Sequence, residues 1–204
     1  MSITSRSLRK LGDLNIEITE CGTGVPLVFL HAGEGLAFCE PLFAKLAKVC
    51  RVIAPSHPGF GHTDLPPTFR AIDDLAYFYL DLFDTLQLRD AVLVGTSFGG
   101  WIAAEIAIRS TAHLSRLVLA DAVGIRVSQD ETAVEIEDIF TLQPDDVERR
   151  SLVEPAKWRR AVDTLSDDEL GVIARNRESL ALFGWMPYMY NPLLKRWLHR
   201  IRIP

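Results

Sequence analysis

Four short stretches of this chain, residues 26–30, 51–54, 91–94 and 117–120, are apolar almost without interruption. A strand with one wet face alternates apolar and polar residues, whereas a strand covered on both faces does not. The runs therefore predict a mostly parallel sheet sandwiched between helices. Helical patterns fill the intervals. One spans residues 41–48. A longer one places Ile72, Leu75, Ala76, Tyr79, Leu80, Phe83 and Leu86 on one face, with Asp73 and Asp74 near its start, where a helix N-terminus favours negative charge. A third, residues 101–108, is apolar nearly all round and is expected to be the most buried. Earlier, residues 15–20 alternate, which reads as a strand near a sheet edge, and Gly22-Thr23-Gly24 suits a hairpin turn into the next strand.

After Asp121 the texture changes. Residues 129–200 carry no strong strand signal, and helices are expected over 131–140, 145–152, 155–165 and 167–182, the last with capping residues in 164–169. Residues 184–192 are aromatic and broken by prolines. The organisation expected is an α/β core over 1–128, a helical insertion over 129–200, and the start of a returning core strand at 201–204.

The chemistry concentrates where residues 91–94 run into Gly95-Thr96-Ser97-Phe98-Gly99-Gly100 and then a small-residue helix. A strand, a sharp turn with serine at its apex and a helix together form a nucleophile elbow. Ser97 is the candidate nucleophile; Gly95 and Gly99 allow close approach of neighbouring backbone, and Gly100 adds room where helix and strand cross. A glycine-rich turn that binds phosphate at a helix N-terminus is the alternative for the same residues, but the spacing is neither Gly-x-Gly-x-x-Gly nor a P-loop, and no lysine follows. The loop His31-Ala32-Gly33-Glu34-Gly35 can offer the Gly33 N–H to an oxyanion, with the second donor from Phe98. Losing one such donor typically costs about 3 kcal/mol of transition-state stabilisation. His31 reads as an organiser of that loop, and His57 and His62, in the Gly/Pro loop 55–64, as structural residues bordering the same crevice.

Taken in order, His31-Ala32-Gly33, Pro58-Gly59-Phe60-Gly61, the elbow at 95–100 and Leu117-Val118-Leu119-Ala120-Asp121 resemble the α/β-hydrolase fold family over essentially the whole chain. The resemblance is closest to the capped branch of esterases and carbon–carbon bond hydrolases acting on small carbonyl compounds. It implies that 129–200 form a cap over the substrate pocket, with Trp158, Phe183, Trp185, Tyr188 and Tyr190 offering apolar wall or packing. The sequence departs from the family pattern at Ala32, where glycine is common, and at Ser56-His57, where an aspartate often stands. The family places its acid after the seventh strand, less often the sixth, and its histidine after the eighth. Residues 201–204 look like the entry to the seventh strand, so the last strands and helix, ~50–80 residues, are expected to be missing, and with them the triad acid and histidine. Asp121 is the remaining candidate acid. His113 and His199 lie in the wrong places to serve as base.

The chain has 204 residues, 48% apolar and 24% charged, with net charge −5, which argues against a nucleic-acid partner. It shows no signal peptide and no membrane span, and Cys21, Cys39 and Cys50 match neither a disulfide framework nor a zinc pattern, so a cytoplasmic protein with free thiols is expected. No cofactor or metal is expected, and the partner expected is a small-molecule substrate. The reading is a serine hydrolase using an acyl-enzyme on a small ester or related carbonyl compound. The alternatives are a non-catalytic ligand-binding module of the same fold, or a carbon–carbon bond hydrolase or acyltransferase sharing the elbow. Dehalogenases and epoxide hydrolases of this fold carry aspartate at the apex instead.

Overall fold

The computed structural model describes residues 5–128, 135–154 and 164–204. Its strands are β1 (Ser5–Leu11), β2 (Leu14–Cys21), β3 (Pro26–Leu30), β4 (Arg51–Pro55), β5 (Ala91–Thr96) and β6 (Leu114–Ala120). They form one sheet in the order β1-β2-β4-β3-β5-β6. β4, β3, β5 and β6 are mutually parallel, while β1 and β2 run antiparallel to their neighbours. The apolar runs of β3 and β4 are buried on both faces and that of β5 is buried or half-buried, as the lack of alternation predicts, whereas the run 117–120 in the edge strand β6 departs from the expectation, with Val118, Leu119 and Ala120 exposed. Val28 and Leu30 enter one core with α2 (Ile72–Thr85) and α3 (Phe98–Arg109), while Leu27 and Phe29 enter a second core with Phe43 of α1 (Glu40–Leu46).

α3 is buried along its whole length except Arg109. α2 starts where Asp74 accepts the amides of Arg70 and Ala71 at 2.8 and 2.9 Å, and Asp73 pairs with Arg109 at 2.7 Å. Among the described residues three α-helices follow β6: α4 (Pro144–Ser151), α5 (Asp167–Gly184) and α6 (Leu194–Trp197). α5 opens on a capping box in which the Glu169 amide donates to Ser166 Oγ at 3.3 Å and the Ser166 amide donates back to Glu169 Oε2 at 2.9 Å. No helix among the described residues is long and apolar enough to cross a membrane.

Three further sequence expectations change. The Gly22–Gly24 turn does not make a hairpin between β2 and β3, because β4 lies between them. The hairpin is β1–β2, and β1 escapes the apolar pattern because it is held by charge: Arg6 faces Glu17, and Arg9 binds Glu20. β2 is accordingly one strand in from the edge, and its polar residues Glu17 and Thr19 are buried. Residues 135–140 are irregular, with a turn beginning at 139, rather than the end of a helix; residues 131–134 and the helix expected over 155–165, with Trp158, fall wholly or mostly outside the described residues.

The chain leaves the core after β6 and returns close to where it left. Gly124 donates to the Met189 carbonyl, and the Asn191 amide donates to the Gly124 carbonyl, both at 2.9 Å. Behind them Glu105 of α3, fully buried, accepts from Trp101 Nε1 at 3.1 Å, Arg109 at 2.5 Å and Asn191 Nδ2 at 2.7 Å. Residues 201–204 form no regular element; the Pro204 carbonyl accepts the Leu117 amide of β6 at 2.9 Å.

Candidate active site

The end of β5 imposes a backbone that few residues tolerate. Ser97 sits at φ +49°, ψ −115°, a conformation that costs a non-glycine residue roughly 1–3 kcal/mol. The turn is pinned on both sides: the Ser97 amide donates to the Ala120 carbonyl at 3.0 Å, and the Ser97 carbonyl accepts from Gly100 at 3.0 Å and Trp101 at 3.2 Å. The neighbouring glycines are required by contact. A Cβ on Gly95 would lie 2.4 Å from the Gly99 carbonyl oxygen, and one on Gly99 would lie 2.2 Å from that of Leu30. Helix and strand thus cross with no room for a methyl group.

Ser97, Phe98 and Gly33 meet at one pocket of about 80 Å³, walled by Leu180, Tyr188 and Met189. Val123, Ile136 and Ile139 add further apolar lining, and Glu34 stands at its side. Phe98 is the first residue of α3, so its N–H belongs to the first turn, where amides have no partner within the helix. The three residues singled out as nucleophile and oxyanion donors are therefore brought together. Asp121 is not: it is exposed, at φ +53° just beyond β6, and does not line the pocket. Of the aromatic residues expected as pocket wall that lie among the described residues, only Tyr188 serves. Phe183 is buried in the main core, Trp185 packs on Phe140, and Tyr190 lies under Arg126.

The five histidines are accounted for, and none lines the pocket. His31 and His57 are completely buried, their rings 3.7 Å apart. One proton assignment satisfies every contact. His31 Nδ1–H donates to the Ala32 carbonyl at 2.6 Å, leaving Nε2 to accept the His57 amide at 3.0 Å. His57 Nε2–H donates to the His31 carbonyl at 2.9 Å, leaving Nδ1 to accept the Tyr79 hydroxyl at 2.5 Å. Both imidazoles are neutral. Burial pulls His31 down to about 4 and His57 well below its usual value, with the neighbouring His31 adding to the effect on His57. Burial also pushes Tyr79 well up, keeping its donor proton. His113 bonds the Leu88 carbonyl and Asp84, His62 faces Asp168 at the surface, and the exposed His199 bonds the Arg196 carbonyl.

The side chains that join β2 and α5 to the site's loops are not among the candidates read from the sequence. Glu17 of β2 accepts from Ser56 Oγ at 2.7 Å and so brings a buried carboxylate to the loop 55–64. Asn176, Ser179 and Leu180 of α5 reach the loops 31–35 and 57–61, with Ser179 Oγ donating to the Gly59 carbonyl at 2.7 Å. Their spacing of three and four marks one helix face, the one signal in sequence that these residues share a target.

Comparison with known proteins places these features in context. A family model described as the alpha/beta hydrolase family matches residues 27–202. The 2-hydroxymuconate semialdehyde hydrolase of Pseudomonas sp. (strain CF600) is 27% identical over 230 aligned positions, covering 93% of this chain and 81% of that protein. The 2-hydroxy-6-oxo-2,4-heptadienoate hydrolase of Pseudomonas putida is 34% identical over 119 positions, covering 56% of this chain and 43% of that one. Among solved structures, a bacterial membrane phospholipase A superposes with a TM-score of 0.71 at 20% identity, over 98% of this chain and 68% of that one. That likeness is one of fold.

Proposed function

The chain belongs to the alpha/beta hydrolase family, and on that premise we propose that it is a serine hydrolase cleaving a small ester or related carbonyl compound through an acyl-enzyme on Ser97. The observation that carries the reading is the strained Ser97 backbone at a pocket shared with Gly33 and Phe98. Ser97 Oγ attacks the carbonyl carbon, and the carbonyl π electrons move onto oxygen, where the Gly33 and Phe98 N–H groups receive the charge. Collapse of the adduct expels the alcohol with a proton, and water then releases the acid and restores the serine. No histidine of this chain lines the pocket, so an external base such as imidazole takes the Ser97 proton and returns it to the departing alkoxide; Asp121, one residue beyond the carbonyl that binds the Ser97 amide, is kept as the candidate acid. The apolar lining favours an apolar acyl group. Cleavage of a carbon–carbon bond next to a carbonyl uses the same elbow, and the names of the two Pseudomonas relatives support that branch. A second reading, a module that holds a ligand without turning it over, draws on the absence of histidine from the pocket lining.

The test is labelling by a fluorophosphonate and hydrolysis of p-nitrophenyl butyrate, each with and without added imidazole as an external base. A mass adduct on Ser97, and imidazole-dependent turnover lost in Ser97→Ala, are expected. No adduct and equal rates in both proteins would leave the ligand-holding module.

A further inference from the structure

One side chain of α5 joins two loops that lie far away in sequence. Asn176 is buried, its Nδ2 donates to the Glu34 carbonyl at 2.9 Å, and its Oδ1 accepts the Gly61 amide at 2.8 Å. Both ends of the amide are thus used, on backbone groups that belong to different β-strand exits. The packing around it is equally close. A Cβ on Gly35 would lie 2.6 Å from Asn176 Nδ2, and one on Gly33 would lie 2.5 Å from Leu180 Cδ2. The loop carrying Gly33 is pressed against α5 at two glycines, and between them the Glu34 carbonyl is held by a directional bond. That carbonyl belongs to the Glu34–Gly35 peptide, whose N–H donates to the Ala32 carbonyl at 3.0 Å, and the Ala32 carbonyl shares its planar peptide with the Gly33 N–H, so the bond from Asn176 bears on where that N–H points.

We infer that Asn176 is a positioning residue that sets the oxyanion loop from α5, so that the anion-stabilising geometry exists only while α5 is seated. The inference rests on the serine hydrolase reading for its catalytic meaning, but the coupling between α5 and residues 31–35 stands on geometry alone. Ser179 supplies the internal comparison. It also ties α5 to a loop, through Gly59, but makes no bond to residues 31–35. A residue that merely holds α5 down and a residue that orients the Gly33 loop are therefore separable.

Three variants decide it: Asn176→Asp, which keeps the acceptor for Gly61 and loses the donor to Glu34; Asn176→Leu, which loses both; and Ser179→Ala. Hydrogen exchange of residues 31–36 is measured at pH 8 together with kcat and KM for p-nitrophenyl butyrate in imidazole buffer. Both Asn176 variants are expected to speed exchange in 31–36 and to lower kcat by roughly 10- to 100-fold with KM within about twofold. Ser179→Ala is expected to do neither. Unchanged exchange in Asn176→Asp, or equal effects of Asn176→Asp and Ser179→Ala, would overturn the inference. Faster exchange confined to the Asn176 variants in a protein that hydrolyses nothing would leave the coupling standing and bring down the hydrolase reading instead.

Discussion

His31 and His57 grip each other reciprocally: the His57 amide donates to His31 Nε2 at 3.0 Å while His57 Nε2 donates to the His31 carbonyl at 2.9 Å. The two bonds join the exits of β3 and β4 beneath Phe98, whose ring centroid lies 5.8 Å from that of His57. The first bond requires an unprotonated His31 Nε2, and the Tyr79 hydroxyl donating to His57 Nδ1 requires the same of His57, so a loop tie built from these residues is sensitive to acid.

The pH dependence has a definite sign. His31 is drawn down from 6.5 to about 4 and His57 is lowered as well, so between those values the unfolded chain binds more protons than the folded one. Stability contributed by the neutral pair is present above pH 6.5 and is lost as pH falls toward 4. His31 alone accounts for roughly 3 kcal/mol of that loss. Urea midpoints at pH 7.5, 6, 5 and 4.5 should fall steadily, and His31→Asn should flatten the slope. A parallel slope in the variant would assign the acid sensitivity elsewhere.

Ser97 is in a conformation suited to glycine. Ser97→Gly is expected to raise stability by about 1 kcal/mol while removing the nucleophile, a direct trade of stability against function. Thermal unfolding of the two proteins side by side measures it; a less stable glycine variant would show that the turn is not strained.

Two alanine substitutions at glycine should have opposite signs. Gly99→Ala forces a methyl group into the Leu30 backbone and should cost about 3 kcal/mol or more. Gly171→Ala, on an exposed turn of α5 with nothing within 4 Å of the new Cβ, should stabilise by up to ~1 kcal/mol. Denaturant titration of both variants provides the check.

Glu105 holds three donors from two parts of the chain. Glu105→Ala leaves Arg109 and Asn191 without that carboxylate and should cost about 3–5 kcal/mol. Glu105→Gln, which keeps the shape and one acceptor, should cost less. Hydrogen exchange should show residues 184–194 loosened ahead of the sheet in the alanine variant; uniform loosening would mean Glu105 serves the core rather than that segment.

What could be read from the sequence was whatever depends on local pattern. Continuous apolar runs marked β3 to β5, because burial on both faces removes alternation, and also β6, whose run 118–120 is exposed at the sheet edge; Gly95, Ser97 and Gly99 marked the elbow, because backbone crowding there admits little else. β1 was hidden because its edge position asks for charge rather than apolar residues. The partner of β2 was misread because a short glycine turn suits a hairpin, while the strand it leads to inserts elsewhere in the sheet. Glu17 and Asn176 were hidden for another reason: each binds groups dozens of residues away, and the helix face that Asn176 shares with Ser179 and Leu180 does not say what that face meets.

The knot of hydrogen bonds at Gly124, Met189 and Asn191 has a consequence for how such a chain can change. Everything between its two ends departs from and rejoins the sheet at a single fastened neck. Altering the length of a stretch whose ends are already held together costs little, about 0.6 kcal/mol for a doubling of a flexible loop. The segment that contributes Leu180, Tyr188 and Met189 to the pocket is in this sense interchangeable hardware: a different one could be spliced in at the neck, reshaping what the pocket admits while the strand ends keep their places.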